Sequence, residues 1–156
     1  MTTEVTSMSS DELRDLYRAV ILDHAREPRH FGTLDKPTHT ADGVNPLCGD
    51  KLRLELCVDA EGNIEDAAFE GTGCAISVAS ASLLTETIIG LARHEAMDWF
   101  DDLIARLNGE TTERDLGPLA ALEGVREFPL RVKCAALPWQ ALRSALANGS
   151  GTVTTE

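Results

Sequence analysis

The sequence has 156 residues, enough for a single domain whose core needs neither disulfides nor a structural metal. Apolar residues make up 43% and charged residues 26%, a balance typical of globular proteins, and the apolar runs are too short to span a membrane. The formal net charge of −12 repels phosphate backbones and anionic lipids, which argues against nucleic-acid and membrane partners and fits either plain solubility or a partner with a basic docking face.

The first ten residues, MTTEVTSMSS, contain neither the basic nor the apolar region of a secretory signal. We therefore expect a flexible N-terminus over residues 1–10 and a cytoplasmic protein. In the reducing cytoplasm, the four cysteines are better explained as metal ligands or catalytic thiols than as disulfides.

A capping box of Ser9 and Glu12 predicts the start of the first helix, and Pro28 predicts its end. His24 continues the apolar stripe of this helix, so a packed or surface histidine is favoured over a metal ligand. Residues 29–46 read as a loop with at most one short edge strand.

Alternating apolar residues over 51–59 predict a half-buried strand. A turn at 60–63 leads into a second strand over 64–69, whose register the pattern does not fix, and together they form an antiparallel hairpin. Cys57 lies on the polar face of the first strand and is interpreted as a bystander.

Helical spacing follows Cys74, with apolar residues on one face as far as Leu91, and recurs over residues 95–107. A short helical piece is expected between Gly117 and Gly124. The final helix is predicted to begin between Cys134 and Pro138 and to end near Ala147.

These elements predict an α+β fold, with a small antiparallel β-sheet packed against helices. Residues 11–148 form a single predicted domain, and the polar residues 149–156 form a predicted disordered tail.

Cys48 and Asp50 flank Gly49 in a loop directly before the first strand. In extended backbone, residues i and i+2 project to the same side, so the thiol and the carboxylate can face one point. Gly49 would let the backbone approach what they hold. Alternatively, Cys48 is an ordinary loop thiol and Asp50 a turn residue.

Cys74 follows Gly71-Thr72-Gly73 and precedes a helix, whose positive end favours a thiolate. Cys134 is also expected at a helix entry, with Lys133 beside it favouring the thiolate further. Each could instead be a small buried residue, since free cysteine is often buried.

Three thiolates and one carboxylate suit tetrahedral Zn²⁺ or the irons of a small cluster. Closed structural zinc sites typically use short-spaced cysteine pairs, and the sequence has none. The oxygen ligand from Asp50 should make such a site more exchangeable than four thiolates would.

Four stretches resemble the SufU branch of the IscU/NifU N-terminal family of iron–sulfur cluster assembly proteins. They are LYRAVILDHAREPRHFG (16–32), NPLCGD (45–50), GTGCAISVASASLLTE (71–86) and RVKCAALPWQAL (131–142). They occur in the order of the family and run from the first helix to the last.

The resemblance implies that Cys48, Asp50, Cys74 and Cys134 are metal ligands. It also implies a zinc-bound sulfurtransferase that takes persulfide sulfur onto Cys48 from a pyridoxal-phosphate cysteine desulfurase of SufS type and serves downstream cluster assembly proteins. Arg131 is a possible contact to Asp50 or to the partner. Lys133 stands where the IscU branch has a histidine, which favours sulfur transfer.

Two other functions stay open at this point. The chain could be a scaffold on which an iron–sulfur cluster is built from iron and sulfide and then passed on. It could also be a metal-stabilised binding module without sulfur chemistry, although that class would favour a closed four-thiol site.

Overall fold

The structure is a computed structural model that describes residues 10–155. The predicted flexible N-terminus, including Ser9 of the capping box, lies outside the described residues except for Ser10. In chain order the elements are α1 (Ser10–Arg26), β1 (His39–Asn45), β2 (Asp50–Val58), β3 (Ile64–Thr72), α2 (Ala75–Ile88), α3 (Arg93–Leu107), a 3₁₀ helix (Gly117–Val125), α4 (Pro129–Asn148) and β4 (Thr152–Thr154).

The four strands form one sheet in the order β3-β2-β1-β4. The predicted hairpin is confirmed, and its register pairs Leu54 of β2 with Phe69 of β3. The β2 pattern is also confirmed, because Leu52, Leu54 and Leu56 are buried against the helices. With one sheet and several helices, the α+β class is confirmed.

Strand β1 was predicted as at most a short edge strand, and the structure differs. β1 is seven residues long and lies between β2 and β4. Its sequence has low strand propensity because it contains Asp42 and Gly43. Gly43 fits here because helix α4 lies close above it, where an added Cβ would come within 3.1 Å of Leu137 Cδ1.

Strand β4 occupies part of the segment predicted to be a disordered tail, so that prediction differs from the structure. Thr152–Thr154 pair with β1 in parallel, and the N–H of Asp42 donates to the carbonyl of Gly151 at 2.8 Å. The segment is short, so it is ordered by long-range contacts: the free edge of β1, the packing of Val153 on the core, and the hydrogen bond from the Thr155 hydroxyl to the carbonyl of Lys133. That edge is not visible in the local sequence.

Helix α4 was predicted to start between Cys134 and Pro138, and that start is wrong. The helix begins at Pro129, and Pro138 lies inside it. A proline is well tolerated at the first helical position, which Pro129 occupies, and it is usually a signal for a helix start. Pro138 has no N–H to donate to the carbonyl of Cys134, four residues earlier.

The hydrophobic core lies between the sheet and the helices, with α4 packed on β1, β2 and α2. Trp139 and Leu142 of α4 are fully buried there. Helix α2 is buried on more sides than its predicted single face, because Ser80 and Ser82 are buried as well as Leu83 and Leu84. Among the described helices, none is long and apolar enough to cross a membrane.

Candidate metal and sulfur site

The turn between β1 and β2 presents the first cysteine. Asn45 and Asp50 are opposite each other at the end of the ladder, and the chain turns through residues 46–49 between them. The N–H of Cys48 donates to the carbonyl of Asn45 at 3.3 Å. Gly49 has φ of +70°, a left-handed conformation that favours glycine, so its role is to close the turn. Cys48 is left half-buried at the tip.

Asp50 is fully buried at the start of β2. Its Oδ1 accepts a hydrogen bond from the backbone N–H of Cys74 at 2.8 Å. A close backbone approach to Asp50 occurs at Gly73, where an added Cβ would lie 2.4 Å from Asp50 Oδ1. The buried carboxylate therefore ties β2 to the start of α2.

Cys74 caps the N-terminus of α2, as predicted from the sequence. Its Sγ accepts a hydrogen bond from the N–H of Ser77 at 3.5 Å, and the residue is half-buried. Before it, Gly71 lets β3 lie close to β2, because an added Cβ would overlap the carbonyl oxygen of Lys51.

Cys134 was predicted at a helix entry, but it lies more than one turn inside α4 and is fully buried. Burial raises the pKa of the Cys134 thiol well above its usual range, and contacts with Asp50, Cys48 and Cys74 raise it further. In the metal-free protein it is therefore a thiol, and its S–H donates to the carbonyl of Leu130 at 3.5 Å.

Arg131 lies one helical turn before Cys134, and its side chain extends towards Cys74. Attraction to Cys74 and a hydrogen bond with it raise the pKa of Arg131, and Cys134 and Cys48 add to the shift. Lys133 points elsewhere, into a surface cavity that it shares with Asn108. It is therefore not the residue that places positive charge beside the thiols.

Three of the four predicted ligands come together around one point. A sulfur of Cys48, a sulfur of Cys134 and a carboxylate oxygen of Asp50 all lie within 4.8 Å of one another. Cys74 lies beside this group and contacts Cys134, but its sulfur is not within 4.8 Å of all three ligand atoms. We call these four residues the cysteine–aspartate site.

The donor set fits a metal ion. Metal–sulfur bonds to zinc are about 2.3 Å long, so ligand atoms this close to one another can share an ion. Thiolates are soft ligands that zinc and iron accept, and the carboxylate is compatible with both. Three thiolates and a carboxylate exceed the charge of a divalent ion, and the guanidinium of Arg131 offsets part of the excess.

Two other residues weighed from the sequence lie outside the site, in agreement with the interpretation given to them. Cys57 Sγ is 3.5 Å from the carbonyl of Lys36, on the other end of β2. His24 is buried between α1 and α2, with Nδ1 2.7 Å from Ser82 Oγ.

Sequence reasoning missed Asn45 and Gly73. Asn45 is fully buried, and its Nδ2 lies 3.5 Å from Asp50 Oδ2 and 3.6 Å from Cys134 Sγ. It opens the NPLCGD stretch, but no local signal reveals that it faces Asp50. Gly73 precedes Cys74, and its contact with Asp50 joins two segments that are distant in sequence.

Comparison with known proteins places these residues in a family context. The model of the NifU-like N terminal domain matches residues 16–148, which include the whole cysteine–aspartate site. The zinc-dependent sulfurtransferase SufU of Bacillus subtilis is 42% identical over 141 residues, covering 89% of this chain and 95% of that protein. The iron–sulfur cluster assembly scaffold protein IscU of Streptococcus pyogenes is 40% identical, covering 92% and 90%.

A solved structure gives the same result for the fold. The putative iron–sulfur cluster assembly scaffold protein for the SUF system from Fervidobacterium islandicum superimposes with a TM-score of 0.78 at 34% identity. The match covers 81% of this chain and 93% of that one. Strand β4 lies beyond the last residue that the family model matches.

Proposed function

This chain belongs to the NifU-like N-terminal domain family, and from that premise we propose that it acts in iron–sulfur cluster assembly as a zinc-dependent sulfur acceptor. The sulfur comes from the persulfide of a pyridoxal-phosphate cysteine desulfurase of SufS type and goes to downstream assembly proteins in the cytoplasm. The observation that supports this proposal is the pairing of one half-buried thiol, Cys48, with two fully buried donors, Asp50 and Cys134, around one point.

The difference in burial assigns different roles to the donors. Cys134 is fully enclosed, so no partner protein reaches it without unfolding part of α4. Cys48 lies at the tip of a turn, beside Leu47, which is 60% exposed. We therefore propose Cys48 as the sulfur acceptor, with Asp50, Cys74 and Cys134 as the remaining metal ligands.

Zinc, when bound, would hold thiols as thiolates at neutral pH. This matters most for Cys134, whose pKa burial raises. The chain's own contribution is to keep the four donors close, with the N–H of Cys74 fixing one oxygen of Asp50. Arg131 supplies the positive charge on the open side of the site, beside Cys74.

The transfer itself is a thiol–persulfide exchange. The Cys48 thiolate attacks the outer sulfur of the desulfurase persulfide, and a new S–S bond forms at Cys48. The S–S bond of the desulfurase breaks, and its cysteine leaves as a thiolate. The outer sulfur changes partner without net oxidation or reduction of the pair of proteins, so no further reagent is required.

Exposed apolar side chains near the site support a protein partner. Phe128 is 56% exposed and lines a cavity together with Cys74 and Arg131. Leu130 is 54% exposed at the start of the same helix, and Leu47 flanks Cys48. Exposed apolar groups of this size next to a reactive thiol suit docking of a large protein better than binding of a free small molecule.

The test is purification without oxygen, followed by metal analysis and an assay with a SufS-type desulfurase. We expect a colourless protein with one zinc, strong stimulation of the desulfurase, and a persulfide at Cys48 detected by mass spectrometry. Cys48→Ala should abolish the stimulation, whereas the matched change Cys57→Ala should leave it intact. Full stimulation by Cys48→Ala would disprove the acceptor role, and a brown protein that holds iron and sulfide would favour the scaffold.

A further inference from the structure

Asn45 is the one fully buried amide that borders the cysteine–aspartate site in the described chain. It is the last residue of β1 and the cross-strand partner of Asp50, so the side chains of both residues point to the same face of the sheet. That face is covered by α4, which carries Cys134. A buried amide is costly unless its polar atoms are hydrogen-bonded, so its position calls for an explanation.

The two ends of the Asn45 amide have different surroundings. Nδ2 lies 3.6 Å from Cys134 Sγ, a normal length for a hydrogen bond to sulfur, and 3.5 Å from Asp50 Oδ2, which is long for one to oxygen. Oδ1 is buried without a hydrogen-bond partner among the described residues. The amide therefore has its donor end at the two ligand atoms, although this leaves its own acceptor unpaired.

This orientation gives each of the two ligand atoms a nearby hydrogen-bond donor. A carboxylate and a thiolate have lone pairs that accept hydrogen bonds from an NH₂ group, which has two donors. Reversing the amide would put its oxygen against the carboxylate oxygen of Asp50 and would leave neither ligand atom with a donor from Asn45. The geometry therefore aims the donor end of the amide at the two buried ligands.

We propose that Asn45 is a positioning residue that holds Asp50 and Cys134 as the permanent anchors of the metal ion. This inference rests on the proposed function. Asn45 reaches these two buried donors, and its side chain has no contact with Cys48 or Cys74 among its hydrogen bonds in the described structure. Because the Asn45 side chain contacts Asp50 and Cys134 but not Cys48, Cys48 is the ligand that can be released to accept sulfur. The ion meanwhile stays on the two buried ligands.

A purely structural role for Asn45 is the alternative to exclude. Asn45 ends a strand next to a tight turn, and its backbone carbonyl accepts the N–H of Cys48. Two substitutions separate the roles. Asn45→Leu keeps a branched side chain of similar shape but has no hydrogen-bond donor, whereas Asn45→Ala removes both the donor and most of the side-chain volume. If Asn45 only fills space, Asn45→Leu should bind zinc more tightly than Asn45→Ala. If Asn45 positions the ligands, both variants should lose zinc affinity to a similar extent.

The first experiment measures zinc affinity by competition with a chromophoric chelator. We expect both variants to bind zinc roughly 10–100-fold more weakly than the parent, the usual range when an outer-shell partner of a metal ligand is removed. The exposed residue Asn108, at the C-terminal end of α3, provides the matched control. Asn108→Ala should bind zinc with an affinity within about twofold of the parent.

The second experiment asks which ligand leaves. Zinc-loaded parent protein is treated with iodoacetamide, and zinc release and the alkylated cysteine are followed together. We expect alkylation at Cys48 with zinc retained in the parent, and alkylation at Cys48 accompanied by zinc loss in both Asn45 variants. Circular dichroism of the metal-free proteins checks that α4 has not unfolded. If the leucine variant does not fold, Asn45→Ser replaces it, because it keeps a short donor: packing predicts zinc affinity equal to that of Asn45→Ala, and positioning predicts a higher one.

The outcomes separate this inference from the proposed function. Wild-type affinity and wild-type zinc retention in both variants would overturn the role of Asn45 alone. Recovery of affinity in Asn45→Leu but not in Asn45→Ala would also overturn it in favour of packing. The proposed function would instead be overturned if the parent protein bound no zinc, or if Cys134→Ala left its zinc affinity unchanged.

Discussion

The carboxylate of Asp50 and the backbone N–H of Cys74 are joined by a 2.8 Å hydrogen bond. Asp50 is 0% exposed, and the bond fixes one carboxylate oxygen at the point where α2 begins. The other oxygen stays on the side of Asn45 and Cys134. One side chain thereby links a strand, a helix start and a helix interior.

Gly73→Ala should damage the cysteine–aspartate site. An added Cβ would lie 2.4 Å from Asp50 Oδ1 and 3.1 Å from its Cα, so the carboxylate would have to move. We expect zinc affinity to fall at least about tenfold, comparable to the loss of a ligand-orienting contact. Competition with a chromophoric chelator measures it.

The control for this change is Gly124→Ala. Gly124 lies in the 3₁₀ helix, where an added Cβ meets nothing within 4 Å. Zinc affinity should stay at the parental value, with stability equal or slightly higher because alanine restricts the unfolded chain. Equal zinc affinity in the two alanine variants would contradict the contact between Gly73 and Asp50.

His24 should make stability depend on pH. Burial lowers its pKa below the ordinary value of about 6.5, and Arg29 lowers it further, while Glu86 and Asp23 act in the opposite direction. The unfolded chain therefore takes up the proton first as the pH falls. The contribution of neutral His24 to the free energy of unfolding is fully present above pH 6.5. It decreases as the pH drops through 6.5 towards the pKa of His24 in the folded state.

Urea unfolding of metal-free protein at pH 7.5 and at pH 5.5 measures this effect. His24→Gln removes the titration but can still hydrogen-bond Ser82, whose Oγ lies 2.7 Å from the histidine Nδ1 and also accepts the N–H of Arg29. We expect the variant to lose less stability than the parent between the two pH values. An identical loss in both proteins would assign the pH dependence to other groups.

Removal of residues 151–156 should weaken the sheet at β1. The deletion removes the hydrogen bond from Asp42 N–H to the carbonyl of Gly151 and the one from Thr155 N–H to the carbonyl of Val44. We expect a loss of at least about 1–2 kcal/mol in the free energy of unfolding, because the pairing of β4 with β1 and the Thr155 hydroxyl contact are lost together with these two bonds. It is measured by urea denaturation.

Thr155→Val is the milder comparison for the deletion. It removes the hydroxyl that donates to the carbonyl of Lys133 at 3.2 Å, but it keeps the backbone of β4. Its effect should be smaller than that of the deletion. If the deletion left the free energy of unfolding unchanged, the pairing of β4 with β1 would contribute no stability in solution.

Leu47→Asp should impair the encounter with the desulfurase. Leu47 is 60% exposed directly beside Cys48, and a carboxylate there would replace apolar contact with a charge to be desolvated. We expect the desulfurase concentration for half-maximal stimulation to rise about tenfold, with zinc content unchanged. A titration of the stimulated rate measures it.

Leu22→Asp is the control, since Leu22 is 37% exposed on α1. Leu22 lies away from the cysteine–aspartate site, because its neighbour His24 contacts Ser82, which is about 12 Å along α2 from Cys74. This variant should stimulate the desulfurase as the parent does. Equal impairment by the two aspartates would indicate that added negative charge, rather than the position of Leu47, decides the encounter.

The sequence predicted those parts of the site that depend on local signals. Cys48 in a turn before a strand, and Cys74 at the start of a helix, follow from alternation, glycines and helical spacing. The start of α4 could not be found in this way, because Pro138 has the appearance of a helix start and Pro129 holds the actual one. The position of Cys134 inside the helix, rather than at its entry, was missed for the same reason.

Features that arise from long-range pairing were not predictable from one sequence. β1 contains Asp42 and Gly43, residues that disfavour strands, and it becomes a strand because β2 and β4 pair with both of its edges. The position of Asn45 beside Asp50 depends on the same register. The contact of Gly73 with Asp50 requires β2 and α2 to meet, which no local pattern encodes.

Cys48 and Cys134 are within 4.8 Å of each other although more than half of the chain separates them. An ion held by both would act as a cross-link that closes this long loop, and only the folded chain can supply it. Loading and folding then reinforce each other, so that a loaded molecule resists proteolysis and a stripped one opens more readily. A bound ion would thus add to the stability that the core supplies.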